Sequence, residues 1–430
     1  MKVAIAGYGL EGKANLRYWQ EMGADVTILD ERPVTDAPEG VMVMTGVNAL
    51  SDLSSFDIVI RTASLNPHKL TTAKKVWSAT NEFFARCQAP IIGITGTKGK
   101  GTTSSIIASI LRAAGKTVHL VGNIGIPALD VLKDIQPDHI VVFEMSSFQL
   151  WDLEKSPHVA IVLMVEPDHL DVHANMDEYV QAKSQIRHNQ VAGDVCIYHP
   201  TNVLSKKIAL SSTVSHPIRY GVADGGACYV QSGSFYIDER AICSVSELRL
   251  VGQHNIENAC AAISAASVYT EGALAIAAGL RSFDGLPHRT KFIREVDGVK
   301  YYDDNYSSAP GAAIAAIRSF TQTEILIMGG YDKHVDFAEL AAAIKSQTNI
   351  RKVILIGQTR FQIAAALNAV GSGDIYELSD STVLRPVVER ARAIAKPGDV
   401  IIMSPACASF DMFKNFGDRG DQFIEIVESI

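Results

Sequence analysis

The stretch GITGTKGKGTTSS, which begins at residue 93, sets an apolar strand-like run against Gly96, Gly99, Lys100 and Gly101, then against the hydroxyl-rich start of a helix. Glycines let backbone N–H groups curl around phosphate oxygens, a helix N-terminus adds partial positive charge, and a lysine reaches the outer phosphates. The chemistry implied is nucleoside triphosphate binding, ATP above all. A phosphate-loop lysine is ordinarily followed at once by Ser or Thr. Gly101 stands there instead, so Thr102 or Thr103 must offer the hydroxyl that meets a metal ion.

Phosphoryl chemistry also calls for magnesium, which neutralises charge on the moving group. In HIVVFEMSSFQL, Glu144 ends a buried strand, where ligands of open α/β sheets gather. An acid in that place is costly unless it has a charge to meet. A second apolar run, VAIVLMVEPDHLDVH, leads to Asp168, His169 and Asp171. A lone loop histidine is ordinarily a satisfied one, and the neighbouring acids turn this one towards metal. MDEYVQAKSQIRHN reads as a helix bearing Lys183, which on the residues alone is a solvated helix lysine. A further glycine turn opens the chain in AIAGYGLEGKA: Gly7, Gly9 and Gly12 follow a strand and start a helix, and Asp30 ends the next strand. That is about the twenty-residue spacing of a ribose-binding acid. On spacing alone, NAD and other diphosphate nucleotides both stay open.

The elements that must carry these groups alternate along the chain. KVAIAG, DVTILD and FDIVIRT come first, then PIIGITG, TVHLVG, HIVVFEM and VAIVLM, and finally TEILIMGG, RKVILIG, DIYELS and DVIIMSP. Runs apolar at every position, separated by helical patterns, are the mark of parallel strands covered on both faces, so the class is α/β. Seams near FARCQAP and DGLPHRT divide the chain into expected domains 1–88, 89–285 and 286–430. Polar strand-like runs between about 206 and 250 read as an antiparallel excursion, and NACAAISAASVY reads as a close-packed helix.

Composition sets outer limits. A chain of 430 residues, 47% hydrophobic, can bury several cores. A net charge of −8 argues against general nucleic-acid binding, which needs clustered cations. The six cysteines form no CxxC pair, so idle thiols in a reducing cytosol are expected. No leader pattern and no membrane-length apolar run stand out, and there is no coiled-coil seam. A soluble, cytoplasmic monomer is the expectation.

The motifs TGTKGKGTT, GNIGIPAL, EMSSFQL, EPDHLD with AKSQI, GQHNIENACAA, GLPHR, DDNYSSAP, MGGYDKHVDF and SPACASFDMFKNFGDRGDQF, in that order, resemble the Mur ligases. The last of them resembles their D-glutamate-adding branch. The resemblance implies three domains: a Rossmann-like N-terminal domain, a central P-loop ATPase domain with a mainly parallel sheet, and a Rossmann-like C-terminal domain. It implies ATP-dependent addition of D-glutamate to UDP-N-acetylmuramoyl-L-alanine through an acyl phosphate, in peptidoglycan precursor synthesis. The first glycine turn would then hold the UDP diphosphate near Leu10 and Glu11, with Asp30 by the uracil. Asn123 and Ser146 would meet the substrate from the second domain.

By the same resemblance Gly96, Thr97, Lys98, Gly99, Lys100, Gly101, Thr102 and Thr103 bind ATP, together with Asn255, Arg289 and Asp304. Thr102 and Glu144 would hold one magnesium, and His169 with a carbamylated Lys183 a second. Lys333 would pair with the incoming glutamate, and Ser308, Ser409, Phe410 and Phe416 would shape its pocket, although the two phenylalanines equally suit packing. Catalysis would require domain closure. Glu11 stands where a small hydroxyl residue is expected, Tyr306 where lysine is usual and Ser308 where threonine is usual. Lys98 and Gly101 resemble the loop of folylpolyglutamate synthases, one rival. A regulatory protein that has lost the chemistry and an NAD-dependent dehydrogenase are two others.

Overall fold

The computed structural model describes residues 1–430 and contains three large sheets and one small one. The first is wholly parallel, in the order β3-β2-β1-β4-β5, from β1 (Lys2–Ala6), β2 (Asp25–Asp30), β3 (Met42–Thr45), β4 (Ile58–Arg61) and β5 (Val76–Ser78). The second, also parallel, runs β11-β10-β9-β6-β8-β7. Its strands are β6 (Ile91–Thr95), β7 (Val118–Gly122), β8 (Ile140–Glu144), β9 (Val159–Val162), β10 (Val195–Tyr198) and β11 (His216–Arg219). An antiparallel trio follows: β12 (Tyr229–Gln231), β13 (Ser234–Ile237) and β14 (Arg240–Ser244). The excursion thus begins later than expected, because β10, the Val203–Ala209 helix and β11 continue the parallel sheet.

The third large sheet has β15 (Lys291–Val296), β16 (Val299–Asp303), β17 (Glu324–Gly329), β18 (Ile350–Ile356), β19 (Tyr376–Leu378) and β20 (Val400–Met403), in the order β15-β16-β20-β17-β18-β19. Only β15 is antiparallel to its neighbour. Successive strand side chains point to opposite faces, so each run feeds two cores. Leu326, Met328, Val353, Leu355 and Ile402 enter one, while Ile325, Ile327, Ile354, Ile356 and Ile401 enter the other. Both faces are covered, hence the unbroken apolar runs. The Gln253–Ala266 helix packs closely as its composition predicts, with Ala259, Ala261, Ala262, Ala265 and Ala266 inaccessible.

The chain divides into two compact units, Met1–Leu248 with Glu257–Phe283, and Arg249–Ile256 with Asp284–Ile430. Inside the first unit, Arg61 at the end of β4 ties the first sheet to the segment that follows β8. It is fully buried, pairs with both oxygens of Asp152 at 2.7 and 2.8 Å, and donates to the Phe148 and Leu65 carbonyls. Removing one partner of such a pair costs about 3–5 kcal/mol, because the other charge stays buried alone. All six cysteines are free, four of them buried, and no helix is long and apolar enough to cross a membrane.

Candidate functional site

Every residue of β6 is buried, and the chain leaves it through Gly96 and Gly99, whose φ angles of 149° and 84° exclude ordinary side chains. A Cβ at Gly99 would sit 2.4 Å from Asn258 Oδ1, and one at Gly96 2.7 Å from Leu163 Cβ. The Lys100–Ala113 helix starts here, so its N-terminal N–H groups face the loop. Lys100 Nζ donates to the carbonyls of Gly96 (3.1 Å) and Thr97 (3.0 Å). Lys183, from the Met176–His188 helix, donates to the same Gly96 carbonyl at 2.9 Å and to Thr95 Oγ1 at 3.4 Å, with its nitrogen 4.6 Å over the Tyr179 ring.

Lys183 is therefore not the solvated helix lysine that its neighbours in sequence suggest: it is 1% exposed. Burial, reinforced by the charge of Lys100, holds its amine well below the usual lysine range. Losing its proton thus costs less than it would for a lysine in water, and the deprotonated amine is a nucleophile. Thr97 Oγ1 accepts from the Glu166 N–H at 2.9 Å and lies 3.1 Å from the Tyr179 hydroxyl, while Lys98 reaches outward to Glu166 at 3.4 Å. Thr103 is buried, its hydroxyl 3.4 Å from Asn258 Oδ1, whereas Gly101 and Thr102 are half-buried. Of the two threonines, Thr102 has the accessible hydroxyl.

Glu144 ends β8, next to β6 in the sheet, and is 5% exposed. Its Oε1 accepts from Asn123 Nδ2 at 3.0 Å, and the Asn123 N–H bonds to the Glu144 carbonyl. Asn123 thus orients the acid. Ser146 caps the Ser147–Leu150 helix in a reciprocal capping box with Gln149. His169 is exposed, holds a left-handed φ of 53°, and stands 4.9 Å from the Phe148 ring. Asp168 Oδ1 accepts its backbone N–H at 3.0 Å.

The first turn lies where the strand order reverses, between β1 and β4, the usual ligand crevice of such sheets. A cavity of about 460 Å³ opens there, lined by Gly7, Asp30, Thr62, Asn66, Lys69 and Asp171 among others. Gly7 has φ 96°, and a Cβ on it would fall 2.2 Å from Thr62 Oγ1. Asp30 braces the turn by accepting the N–H groups of Tyr8 (2.8 Å) and Arg32 (2.9 Å). Leu10 is 81% exposed at the start of the Leu10–Glu21 helix. Glu11 turns its carboxylate onto the Ala63 N–H at 2.8 Å, and burial raises its pKa above the usual carboxylate range.

The remaining expected residues lie in the second unit. Asp304 is 3% exposed: Oδ1 accepts from the Thr290 N–H and hydroxyl, Oδ2 from the Ser404 hydroxyl at 2.6 Å, and burial pushes its pKa up to about 6. The exposed Arg289 lays its guanidinium 3.7 Å over the Tyr306 ring. Asn255 Nδ2 donates to the Val251 carbonyl at 2.7 Å. Ser308 and Lys333 are exposed and Ser409 is buried. Phe410 and Phe416 are 62% and 42% exposed, edge-on to Tyr331 and Tyr306, so neither is a core residue.

Residues 94–266 match the Mur ligase middle domain and residues 288–407 the Mur ligase glutamate ligase domain. A Clostridium tetani protein named UDP-N-acetylmuramoylalanine–D-glutamate ligase is 35% identical over 448 residues, covering 100% of this chain and 97% of that protein. The chain belongs to the Mur ligase family. A ligase of the same name from Acetivibrio thermocellus is 36% identical over 452 residues, covering 100% of this chain and 96% of its own. The fold is shared with the crystal structure of UDP-N-acetylmuramate-alanine ligase from Thermotoga maritima, at a TM-score of 0.63 and 17% identity, covering 100% of this chain and 99% of that one.

Sequence reasoning missed several residues that brace the loops of this Mur ligase. Asn258 fills the space behind Gly99 and meets Thr103, and Tyr179 lies under Lys183. Neither carries a local signal, since each acts across the fold. Arg61 did carry one: a cation ending an apolar strand needs a buried acid, the argument already applied to Glu144. Arg419, also fully buried, donates to Asn305 Oδ1 and to the carbonyls of Asn305, Cys407 and Ala408.

Proposed function

We propose that this Mur ligase joins D-glutamate to UDP-N-acetylmuramoyl-L-alanine at the expense of ATP, as a cytoplasmic step towards peptidoglycan. The observation that carries the reading is the convergence of Lys100 and Lys183 on the Gly96 carbonyl, beside a helix N-terminus, in a chain aligned end to end with named D-glutamate ligases. Cations gathered on a loop of N–H donors suit a triphosphate. The diphosphate of the UDP-sugar suits the first turn, whose cavity is lined by Gly7 with Lys69 and Asn66.

Substrate carboxylate attacks the γ-phosphorus and ADP leaves; the amine of D-glutamate then attacks the acyl carbon and phosphate leaves. Lys100 and the loop amides from Gly96 to Gly101 hold the phosphates, with Lys98 at the rim. Asn255 serves the adenosine and Arg289 the phosphoryl group. Asp304 acts by holding Thr290. Lys333, Ser308, Ser409, Phe410 and Phe416 meet the incoming amino acid. Magnesium would neutralise phosphate charge, and the donors fit it: the Thr102 hydroxyl and the Glu144 carboxylate are the hard oxygen ligands this ion takes. A second ion at His169 requires oxygen on Lys183. Its deprotonated amine can supply that by attacking carbon dioxide, forming an N–C bond and releasing a proton to give a carbamate.

A phosphate-release assay across a matrix of acceptors and amino acids tests the reading. Release is expected only when ATP, UDP-N-acetylmuramoyl-L-alanine and D-glutamate are all present. Release with a tetrahydrofolate acceptor instead, or with another amino acid in place of D-glutamate, overturns it.

A further inference from the structure

The segment that presents Arg289 is held in a conformation that side chains resist. His288 and Thr290, on either side of it, both adopt left-handed φ angles, 59° and 41°. Such residues persist only where their surroundings over-determine them. The end of β16 and the chain just after it supply the hold. Asp303 Oδ2 lies 2.7 Å from His288 Nδ1, Asp304 Oδ1 accepts from the Thr290 N–H and hydroxyl, and the Tyr306 N–H donates to the His288 carbonyl at 2.8 Å. These contacts fix the backbone on both sides of Arg289.

Its side chain is fixed separately, by Tyr306. The guanidinium carbon is 3.7 Å from the centre of that ring, and Phe416 braces the ring edge-on, with centroids 5.2 Å apart and planes at 81°. Tyr306 is 47% exposed, so core packing does not account for it. An unsupported arginine loses much rotamer freedom when it must present its fork in one direction, and an aromatic face removes part of that loss beforehand. The lysine that the resemblance leads one to expect here would repel Arg289; the tyrosine holds it.

We propose that Tyr306 is a positioning residue that presents the Arg289 guanidinium for phosphoryl transfer, a role that rests on the function proposed above. Steady-state kinetics of Tyr306→Phe and Tyr306→Leu, each alone and in an Arg289→Ala background, test it. Tyr306→Phe keeps the ring and stays within about twofold of the wild type. Tyr306→Leu lowers kcat about 3- to 10-fold, with KM for all three substrates and the melting temperature little changed. Where Arg289 is already Ala, Tyr306→Leu has no further effect, because the residue acts through the arginine.

Three results overturn the proposal: an unchanged kcat in Tyr306→Leu, the same loss with Arg289 absent, or a change confined to KM for D-glutamate, which would make Tyr306 a substrate contact. Wild-type turnover is read first. If it is missing, the proposed function falls, and the stack is then judged by the ring-current shift on the Arg289 side-chain NMR signals. Tyr306→Leu must abolish that shift; its persistence overturns the stack as well.

Discussion

The two glycine turns of the first unit share a geometry and differ in charge. Each follows a buried parallel strand and opens a helix, and each has a positive-φ glycine pressed against a neighbouring side chain, Gly7 in the first and Gly96 and Gly99 in the second. Around the first turn the charges are already matched. Lys69 pairs with Glu31 at 2.6 Å, Asp30 accepts two backbone N–H groups, and Glu11 accepts a third. Around the second, buried Lys183 meets a hydroxyl, a carbonyl and a ring face, with Lys100 on the same carbonyl. Burial and then the charge of Lys100 both disfavour the protonated form of Lys183. A diphosphate diester brings little charge to such a turn, whereas a triphosphate brings enough negative charge to favour protonated lysines beside it.

Lys183→Ala breaks this contrast most directly. Phosphate release should fall at least about 10³-fold, as expected when a group that stabilises developing charge is lost. UDP-sugar binding measured by calorimetry should stay within about twofold. Added acetate or formate should restore part of the rate by returning a carboxylate to the space. Normal turnover in the variant would leave the charge contrast without functional content. Glu144→Gln ranks next, with kcat down about 10²-fold and the magnesium dependence displaced to higher concentration. Because the amide oxygen can still accept from Asn123, a magnesium titration matching the wild type would mean that the negative charge of Glu144 is not what the ion needs.

What the sequence disclosed follows how far each interaction reaches along the chain. The strands and their parallel class were legible, because burial on both faces leaves unbroken apolar runs such as IIGIT and VIIM. The phosphate loop was legible because its glycines, lysine and helix start are contiguous. Short or exposed strands such as β3 escaped notice, since MVMT alternates only weakly and is mostly exposed. Lys183 was misjudged because its helix is polar enough to suggest solvent, and only the sheet and Tyr179 packed around it remove the water. Asn258 had no local pattern, and Tyr306 stood out only as a departure from the resemblance, because each meets a partner brought to it by folding.

Gly7→Ala sharpens the comparison from the other side. Its Cβ would lie 2.2 Å from Thr62 Oγ1 at a φ of 96°, so the turn must shift, at a cost of about 1–3 kcal/mol. KM for the UDP-sugar should rise about tenfold while kcat at saturation and KM for ATP stay near normal. An equal rise in both KM values would mean that the two turns are not separate nucleotide sites.

Glu11→Gln gives the smallest effect and the finest discrimination. Burial raises the Glu11 carboxyl most, while the Ala63 N–H and then Arg61 pull it back, so it titrates above the usual carboxylate range. As pH falls through that window the wild type loses a negative charge beside the turn and should bind the UDP-sugar more tightly. Glutamine is neutral throughout and still accepts from Ala63, so its affinity should be flat over the same window and about two- to fivefold tighter near pH 7. Stability follows the same linkage. A carboxyl whose folded pKa lies above its unfolded value stabilises fully below the unfolded value, and that contribution is lost as pH rises through the folded one. The variant should therefore melt with the wild type at low pH and above it near neutrality. Weaker UDP-sugar binding by Glu11→Gln would place the carboxylate on the ligand rather than on Ala63, and the first turn would no longer be charge-balanced before its ligand arrives.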